Sequence, residues 1–369
     1  MTAPAPFEIF LVATPGLETP LADEARAAGF SAAKIIEGGV AFEGTWPDVW
    51  RANLVLRGAT RILARVASFR AMHLAQLDKR ARKLPWSELL RPDIPVHVEA
   101  SCKRSRIYHA GAAAQRVATA IREELGAPIA EDATLRIMVR IEDDLVTISI
   151  DTTGASLHKR GFKEGVAKAP MRETMAAMFL AQSGYSGTEP VIDPMCGSGT
   201  FVIEAAEIAL GLHPGRERSF AFEHLPGFDP AVWTGLRKTS APPAVTHRFY
   251  GFDRDAGAIR MAANNATRAG VAALTVFTQQ SIEDLAPPDG PPGLVIVNPP
   301  YGTRIGEKGP LIGLHRTLGT VLKSRFAGWR VGIVTADKQL AQATGLRFEP
   351  PLPPVLHGGI RVSLYRAQL

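Results

Sequence analysis

The apolar stretch ending Val191-Ile192-Asp193 stops on an acid, the turn Pro194-Met195-Cys196-Gly197-Ser198-Gly199 follows, and Thr200-Phe201-Val202-Ile203-Glu204-Ala205-Ala206 opens in helical spacing. A buried strand that ends on a carboxylate, reverses through two glycines and enters a helix is the geometry of ligand sites at the carboxyl edge of a parallel sheet. Taken alone, the turn is as compatible with a plain tight turn as with a ligand. Two nucleotide patterns are disfavoured: no Lys follows Gly199, as a P-loop requires, and Val202 stands where the dinucleotide fingerprint needs glycine.

Two further strand ends lie downstream. Tyr250-Gly251-Phe252-Asp253-Arg254 places an acid where a carboxylate can accept both ribose hydroxyls of a nucleoside. By itself Asp253 is more often a helix N-cap, here for the helical run over 258–269, but its place after the glycine turn favours ribose. Leu294-Val295-Ile296-Val297 is a fully apolar run closed by Asn298-Pro299-Pro300-Tyr301. The two prolines cannot donate to a ladder, so the strand stops there. The Asn298 amide oxygen and the adjoining backbone carbonyl can accept both N–H groups of an exocyclic amine, and Tyr301 can stack on its base, worth about 1–3 kcal/mol. An isolated Asn-Pro-Pro-Tyr is usually a proline turn over a buried Tyr; here it follows the other two elements in the order a site requires. Transfer of an activated methyl group to an amine needs positioning more than a base. A motif with Asn and no Asp, Glu or His suits that reaction.

Around these ends the pattern is of apolar strands over 190–193, 247–253, 274–279, 294–298 and 330–335, alternating with helices, as a doubly wound α/β sheet requires. The N-terminal part differs. Strands over 8–13, 40–44, 60–69 and 96–100, helices over 17–28, 46–56, 75–84 and 107–125, and a hairpin over 134–151 indicate an α+β region, with the domain boundary near 155–165. A chain of 369 residues fits two or three domains. Its 46% hydrophobic and 21% charged residues indicate a folded protein.

The formal charge of +6 allows a polyanionic partner without requiring one. Ser101-Cys102-Lys103-Arg104-Ser105-Arg106-Ile107-Tyr108-His109 places Lys103, Arg104 and Arg106 beside Tyr108 ahead of a helix, which suits phosphate contact and base stacking by RNA. Arg51, Arg57, Arg61, Arg65, Arg70, Lys79, Arg80, Arg82 and Lys83 read equally as phosphate contacts or as solvated faces. Lys159 and Arg160, in His158-Lys159-Arg160-Gly161-Phe162, lie at the domain junction as RNA contacts or as a hinge. The two cysteines, Cys102 and Cys196, have neither metal-ligand spacing nor a disulfide pattern, so no metal is expected. A reducing cytoplasm fits. No signal peptide and no apolar run near the roughly 18 residues of a membrane span occur.

Taken together, Asp193 to Thr200 with Asn298 to Tyr301 resembles the THUMP-containing class I methyltransferases, and more narrowly the guanine-N2 methyltransferases of bacterial large-subunit (23S) ribosomal RNA. The likeness extends through Ser156-Leu157-His158-Lys159-Arg160-Gly161-Phe162, Ala169-Pro170-Met171-Arg172-Glu173-Thr174 and Leu356-His357-Gly358-Gly359-Ile360. The resemblance implies a ferredoxin-like domain over 1–58, an RNA-gripping THUMP domain over 59–155 and a Rossmann-like methyltransferase domain over 156–369. It implies S-adenosylmethionine as cofactor, held by Asp193, Gly197, Gly199 and Asp253 with Pro194, Met195, Cys196, Thr200 and Arg254 beside them. Ala169, Pro170 and Thr174 match a preceding helix that lies against the cofactor.

In the wider class an acid after the next strand often meets the adenine amine. Here Ser281 stands in its place, so that contact passes to Ser281, Ile282 or the backbone. The reaction implied is one methylation of guanine N2 by a monomer. Its rivals are a tRNA guanine-N2 or an adenine-N6 methyltransferase, and, in a different class, an assembly factor that binds RNA without catalysis.

Overall fold

The structure, a computed structural model, describes residues 6–164, 171–238, 241–300 and 308–369. Two compact units divide the chain. The first comprises the residues up to Ala13, Ala22–Leu157 and Arg218–Lys238; the second comprises Thr14–Leu21, His158–Glu217 and Thr239–Leu369.

In the first unit, β1 (Phe7–Val12), β2 (Lys34–Ile36), β3 (Gly39–Gly44), β4 (Arg61–Arg70), β5 (Val96–Lys103), β6 (Leu135–Glu142) and β7 (Leu145–Asp151) form a single sheet in the order β2-β3-β1-β4-β7-β6-β5. Strand β4 is the join. It pairs with β1 from Arg61 to Arg65 and with β7 from Leu63 to Arg70, with an irregularity between Arg65 and Ala67. The strands before and after β4 therefore belong to one sheet. The β6–β7 hairpin turns on Asp143 and Asp144, both at positive φ (49° and 61°), the backbone of a two-residue turn that matches strand twist. Helix Ala110–Leu125 begins three residues later than its apolar pattern suggests, because the His109 ring nitrogen accepts the Ala112 N–H (3.0 Å) and caps it there.

The first unit also holds residues from within the methyltransferase span. Phe222, fully buried, stacks on Phe220 (5.2 Å between centroids) and Trp50 (6.1 Å), and meets Trp233 edge-on (5.1 Å). Its backbone N–H donates to the Thr152 carbonyl (3.0 Å). Nothing in the periodicity of the sequence marks 218–238 as belonging to this unit.

In the second unit, β8 (Val191–Asp193), β9 (Phe249–Asp253), β10 (Thr275–Gln279), β11 (Leu294–Val297), β12 (Arg330–Thr335), β13 (Val355–His357) and β14 (Ile360–Gln368) are ordered β10-β9-β8-β11-β12-β14-β13. The first five are parallel, and β14 joins β12 antiparallel. The chain winds outward from β8 to β10, then crosses back to β11 and β12. The strand order thus reverses between β8 and β11, the switch point where open α/β sheets bind ligands. Strand β11 is buried throughout. Its Val295 and Val297 share a core with Ile192, Leu318, Leu322, Phe326, Trp329 and Ile333, which fixes the strand ends that carry the site.

Candidate active site

Asp193 closes β8 with 3% of its surface exposed, and its Oδ1 accepts the Met195 N–H (3.1 Å), which sets the first bend of the turn. Burial pushes its carboxyl up to about 8; the Met195 N–H pulls it back, and the charge of Asp253 adds a smaller push. Asp253 closes β9, beside β8 in register (Asp193 opposite Gly251). Its Oδ2 accepts the Gly197 N–H and its Oδ1 the Asp255 N–H, both at 3.0 Å. The N-cap role that the sequence leaves open to Asp253 belongs to Asp255, which accepts the Gly257 N–H (2.7 Å) at the head of helix Ala256–Arg268. Asp253 is left to the strand end.

Gly199, at φ +85°, is the N-cap of helix Thr200–Ala209. A Cβ there would stand 3.0 Å from the Ala262 Cβ and 3.2 Å from the Phe277 ring. Within the turn Pro194, Cys196, Ser198 and Gly199 are buried, while Met195 and Gly197 keep surface. Cys196 donates its N–H to the Phe252 carbonyl (2.9 Å), and burial, with Asp193 and Asp253 nearby, pushes its thiol up. A thiol so held stays protonated and is no nucleophile.

Of the outer cofactor candidates, Arg254 is exposed, with its carbonyl accepting from Gln279 Nε2 (3.1 Å). Ser281 caps the short turn Ile282–Asp284, and its hydroxyl is engaged by Glu283. The Ile282 side chain, 7% exposed, belongs to the core cluster against which Met195 packs. Thr174 is 1% exposed and its Oγ1 is buried without a hydrogen-bond partner among the described residues. Ala169 and Pro170 lie outside the described residues.

Asn298 follows β11, which pairs with β8 through Leu294–Val191 and Val295–Ile192, so it emerges next to the strand that ends in Asp193. Its Oδ1 is buried and has no hydrogen-bond partner among the described residues. A buried acceptor left so costs about 1–3 kcal/mol, which a donor from water or a ligand would recover. Pro299 is buried and Pro300 exposed; Tyr301 lies outside the described residues.

Sequence reasoning missed the groups that brace the turn. Lys163 Nζ pairs with Glu173 Oε1 (3.0 Å) and donates to Thr200 Oγ1 (2.9 Å) and the Met171 carbonyl (3.2 Å). From the other side Asn265 Nδ2 donates to the Ser198 carbonyl (3.1 Å), and Arg268 Nε to the Phe162 carbonyl (2.8 Å). Asn265 was visible only as a polar residue on the apolar face of its helix; Lys163 and Glu173 carried no signal.

The basic residues divide sharply. Lys103 pairs with Glu37 (3.0 Å) and Glu142 (3.2 Å), and Arg104 with Glu142 (2.7 Å) and Asp143 (3.1 Å). The Arg106 side chain is 70% exposed, donating to Met72 Sδ (3.0 Å) and lying 3.9 Å from Asp144, and Tyr108 is 84% exposed, so these two are the more open members of that loop. Arg61 pairs with Asp151, Arg65 with Glu8, and Arg82 with Asp78, Glu123 and Glu124, which accounts for much of the denser basic run within the fold. In the second unit Lys159 is exposed, but Arg160 corrects the expectation: it is 1% exposed and its Nε donates to the equally buried Glu204 (3.0 Å).

Among the described residues no group of acids, His or Cys could hold a metal, and no helix is long and apolar enough to cross a membrane. Residues 8–63 match a model of the RlmL ferredoxin-like domain, 71–151 a THUMP domain, and 160–350 the RMKL-like methyltransferase domain. Ribosomal RNA large subunit methyltransferase K/L of Syntrophotalea carbinolica (strain DSM 2380 / NBRC 103641 / GraBd1) is 35% identical over 363 residues, covering 93% of this chain and 51% of the relative. The chain thus spans about half the length of that curated relative.

Two solved structures follow nearly the whole chain. SMU.472, crystallised with SAH, is 28% identical with a TM-score of 0.89 over 99% of both chains. A predicted N6-adenine-specific DNA methylase from Listeria monocytogenes str. 4b F2365 is 31% identical with a TM-score of 0.88 over 98% of this chain and 96% of its own. TrmN from Thermus thermophilus, 20% identical over 98% of this chain and all of its own, shares the fold with a TM-score of 0.77. The turn and strand ends described above lie inside the 160–350 match, which takes in more than half of the chain, and the protein belongs to the RMKL-like methyltransferase family.

Proposed function

We propose that this chain moves a methyl group from S-adenosylmethionine to the exocyclic N2 amine of a guanine in large-subunit ribosomal RNA. The observation that carries the amine is the buried, unpartnered Oδ1 of Asn298 at the switch-point edge of the sheet. The 35% identity to a large-subunit ribosomal RNA methyltransferase and the THUMP match carry the RNA.

The residues fit the cofactor. Asp253 uses one lone pair on each oxygen for Gly197 and Asp255, and a carboxylate has about two more to offer ribose hydroxyls. Gly197, which keeps surface in the turn, offers bare backbone to a ligand, and the orphaned Thr174 Oγ1 is a further polar contact. When bound, S-adenosylmethionine supplies a methyl group already activated on its sulfonium. Asn298 then has one task, to accept an amine N–H at Oδ1 so that the nitrogen lone pair leaves conjugation with the ring. The adjoining backbone carbonyl takes the second N–H. The surplus proton passes to water, since a methylated amine cation is acidic enough to need no strong base.

The test is Asn298→Ala. Turnover is expected to fall at least about 100-fold, the scale of losing one preorganised polar group, while calorimetric binding of S-adenosylmethionine stays unchanged. Full activity in Asn298→Ala overturns the reading. An adenine-N6 product is the second reading, favoured by the description of the Listeria monocytogenes relative. Nucleoside analysis of RNA from a deletion strain separates the two: loss of N2-methylguanosine from large-subunit ribosomal RNA supports the first, and loss of N6-methyladenosine the second.

A further inference from the structure

One hairpin of the methyltransferase unit projects past the sheet edge that carries the site. Strand β14 pairs with β12 only as far as Ser363 opposite Thr335, yet it begins at Ile360. Residues Ile360, Arg361 and Val362 therefore overhang the carboxyl edge by about 10 Å at roughly 3.3 Å per residue. Strand β13 pairs entirely with this overhang, through Val355–Val362, Leu356–Arg361 and His357–Ile360. The turn is Gly358-Gly359, both at positive φ (57° and 84°), and a Cβ at either would meet no atom within 4 Å. Its backbone is open to a large ligand. Leu356 and Ile360 flank it, 47% and 41% exposed and on opposite faces; Leu356 stands opposite Arg361 and shares its face, and the exposed Arg361 guanidinium has no hydrogen bond or ion pair among the described residues.

Arg172 comes to the same edge from another element. It precedes helix Glu173–Gln182, whose head lies at the cofactor turn, since Thr200 Oγ1 reaches the Met171 carbonyl (3.5 Å). The far end lies at the opposite edge, where Arg330, the first residue of β12, donates to the Gly184 carbonyl (2.9 Å). Arg172 is exposed, and its guanidinium likewise makes no hydrogen bond or ion pair among the described residues. Arg172 and the hairpin thus share the carboxyl edge of one sheet; burial first, and the charge of Arg172 next, hold the imidazoles of His158 and His357 below the usual histidine range. Most arginines near acids in this chain are paired; these two are left open on one rim beside exposed aliphatic surface. Guanidinium groups suit phosphate oxygens, and aliphatic side chains with bare backbone suit ribose and base faces.

We propose that the Gly358-Gly359 hairpin and Arg172 form the platform that receives the RNA strand flanking the target base, with Arg172 and Arg361 on its phosphates and Leu356, on the face of Arg361, against its sugars and bases. This rests on the RNA reading above. The experiment uses the full chain, S-adenosylmethionine, and large-subunit ribosomal RNA from cells lacking the gene. Arg172→Gln with Arg361→Gln is expected to raise KM for RNA about ten-fold and to lower the slope of log affinity against log salt by about two, one per phosphate. Both kcat and cofactor affinity should stay unchanged, and lysine at both positions should restore most of the loss. Leu356→Ser should raise KM with no change in salt slope. Unchanged KM and slope in the arginine variant overturns the platform, as does a KM rise matched by weaker cofactor binding. A wild-type chain that binds no RNA overturns the functional reading itself, a separate outcome visible before any variant is made.

Discussion

Asp193 is the residue whose environment is most at odds with its charge. Its carboxyl is raised from 3.8 to about 8, so the ionised form is disfavoured in the folded state relative to the unfolded chain. Below 3.8 the group is protonated in both states and contributes nothing. As pH rises through the window from 3.8 to about 8, the unfolded chain ionises freely while the folded one resists, and stability falls; above that window the loss is constant. Denaturant midpoints should therefore fall more, or rise less, across that window in the wild type than in Asp193→Asn, since the half-buried His158, lowered to about 4, adds the same opposite slope to both. A cationic ligand such as S-adenosylmethionine favours the carboxylate, so its binding near neutral pH should release a proton. Calorimetry in buffers of different ionisation enthalpy would register the release as a buffer-dependent heat. A buffer-independent heat in the wild type would contradict it.

At the scale of elements, the glycine turn is held by partners on three sides, and the constraint is tightest at Gly199. Its φ of +85° and the 3.0 Å separation its Cβ would have from Ala262 leave alanine nowhere to go without moving the helix. Gly199→Ala should cost about 1–3 kcal/mol of stability and weaken cofactor affinity in parallel, measured by thermal melting with and without S-adenosylmethionine. An unchanged affinity would mean the turn is not part of the site. This turn and the ends of β8, β9 and β11 were legible in the sequence because strands buried on both faces read as unbroken apolar runs, and their last residues are then the first polar ones. The β13–β14 hairpin was not legible as structure. Ile360-Arg361-Val362-Ser363-Leu364 does alternate as a half-buried strand should, but the two glycines before it read as a loop, and its place beside β12 comes only from the tertiary ladder. Arg160 misled for a related reason: a cation among cations looks solvated until Glu204, 44 positions away, is brought beside it.

For the whole molecule, the order of segments along the chain is not the order of cores. The aromatic density of Phe220, Phe222, Phe228 and Trp233 announces burial, but no local pattern says in which core, because the partners, Trp50 and Thr152, are distant in sequence. A fragment cut after Leu157 to isolate the methyltransferase unit would carry Arg218–Lys238 without the surface that covers it. Phe222 is fully buried in the intact chain, and Phe222→Ala should destabilise the first unit by about 3–5 kcal/mol. Because that loss falls on a core separate from the one holding β8, β9 and β11, cofactor affinity should be untouched. The same reasoning predicts that residues 158–369 alone aggregate or bind a hydrophobic dye, whereas replacing 218–238 by a short Gly/Ser linker and supplying Thr14–Leu21, the remaining part of that unit, yields a monodisperse protein that binds S-adenosylmethionine as the full chain does. If the linker fragment folded but lost the cofactor, the segment would belong to the site as well as to the first core, and the division into two units would not be a division of labour.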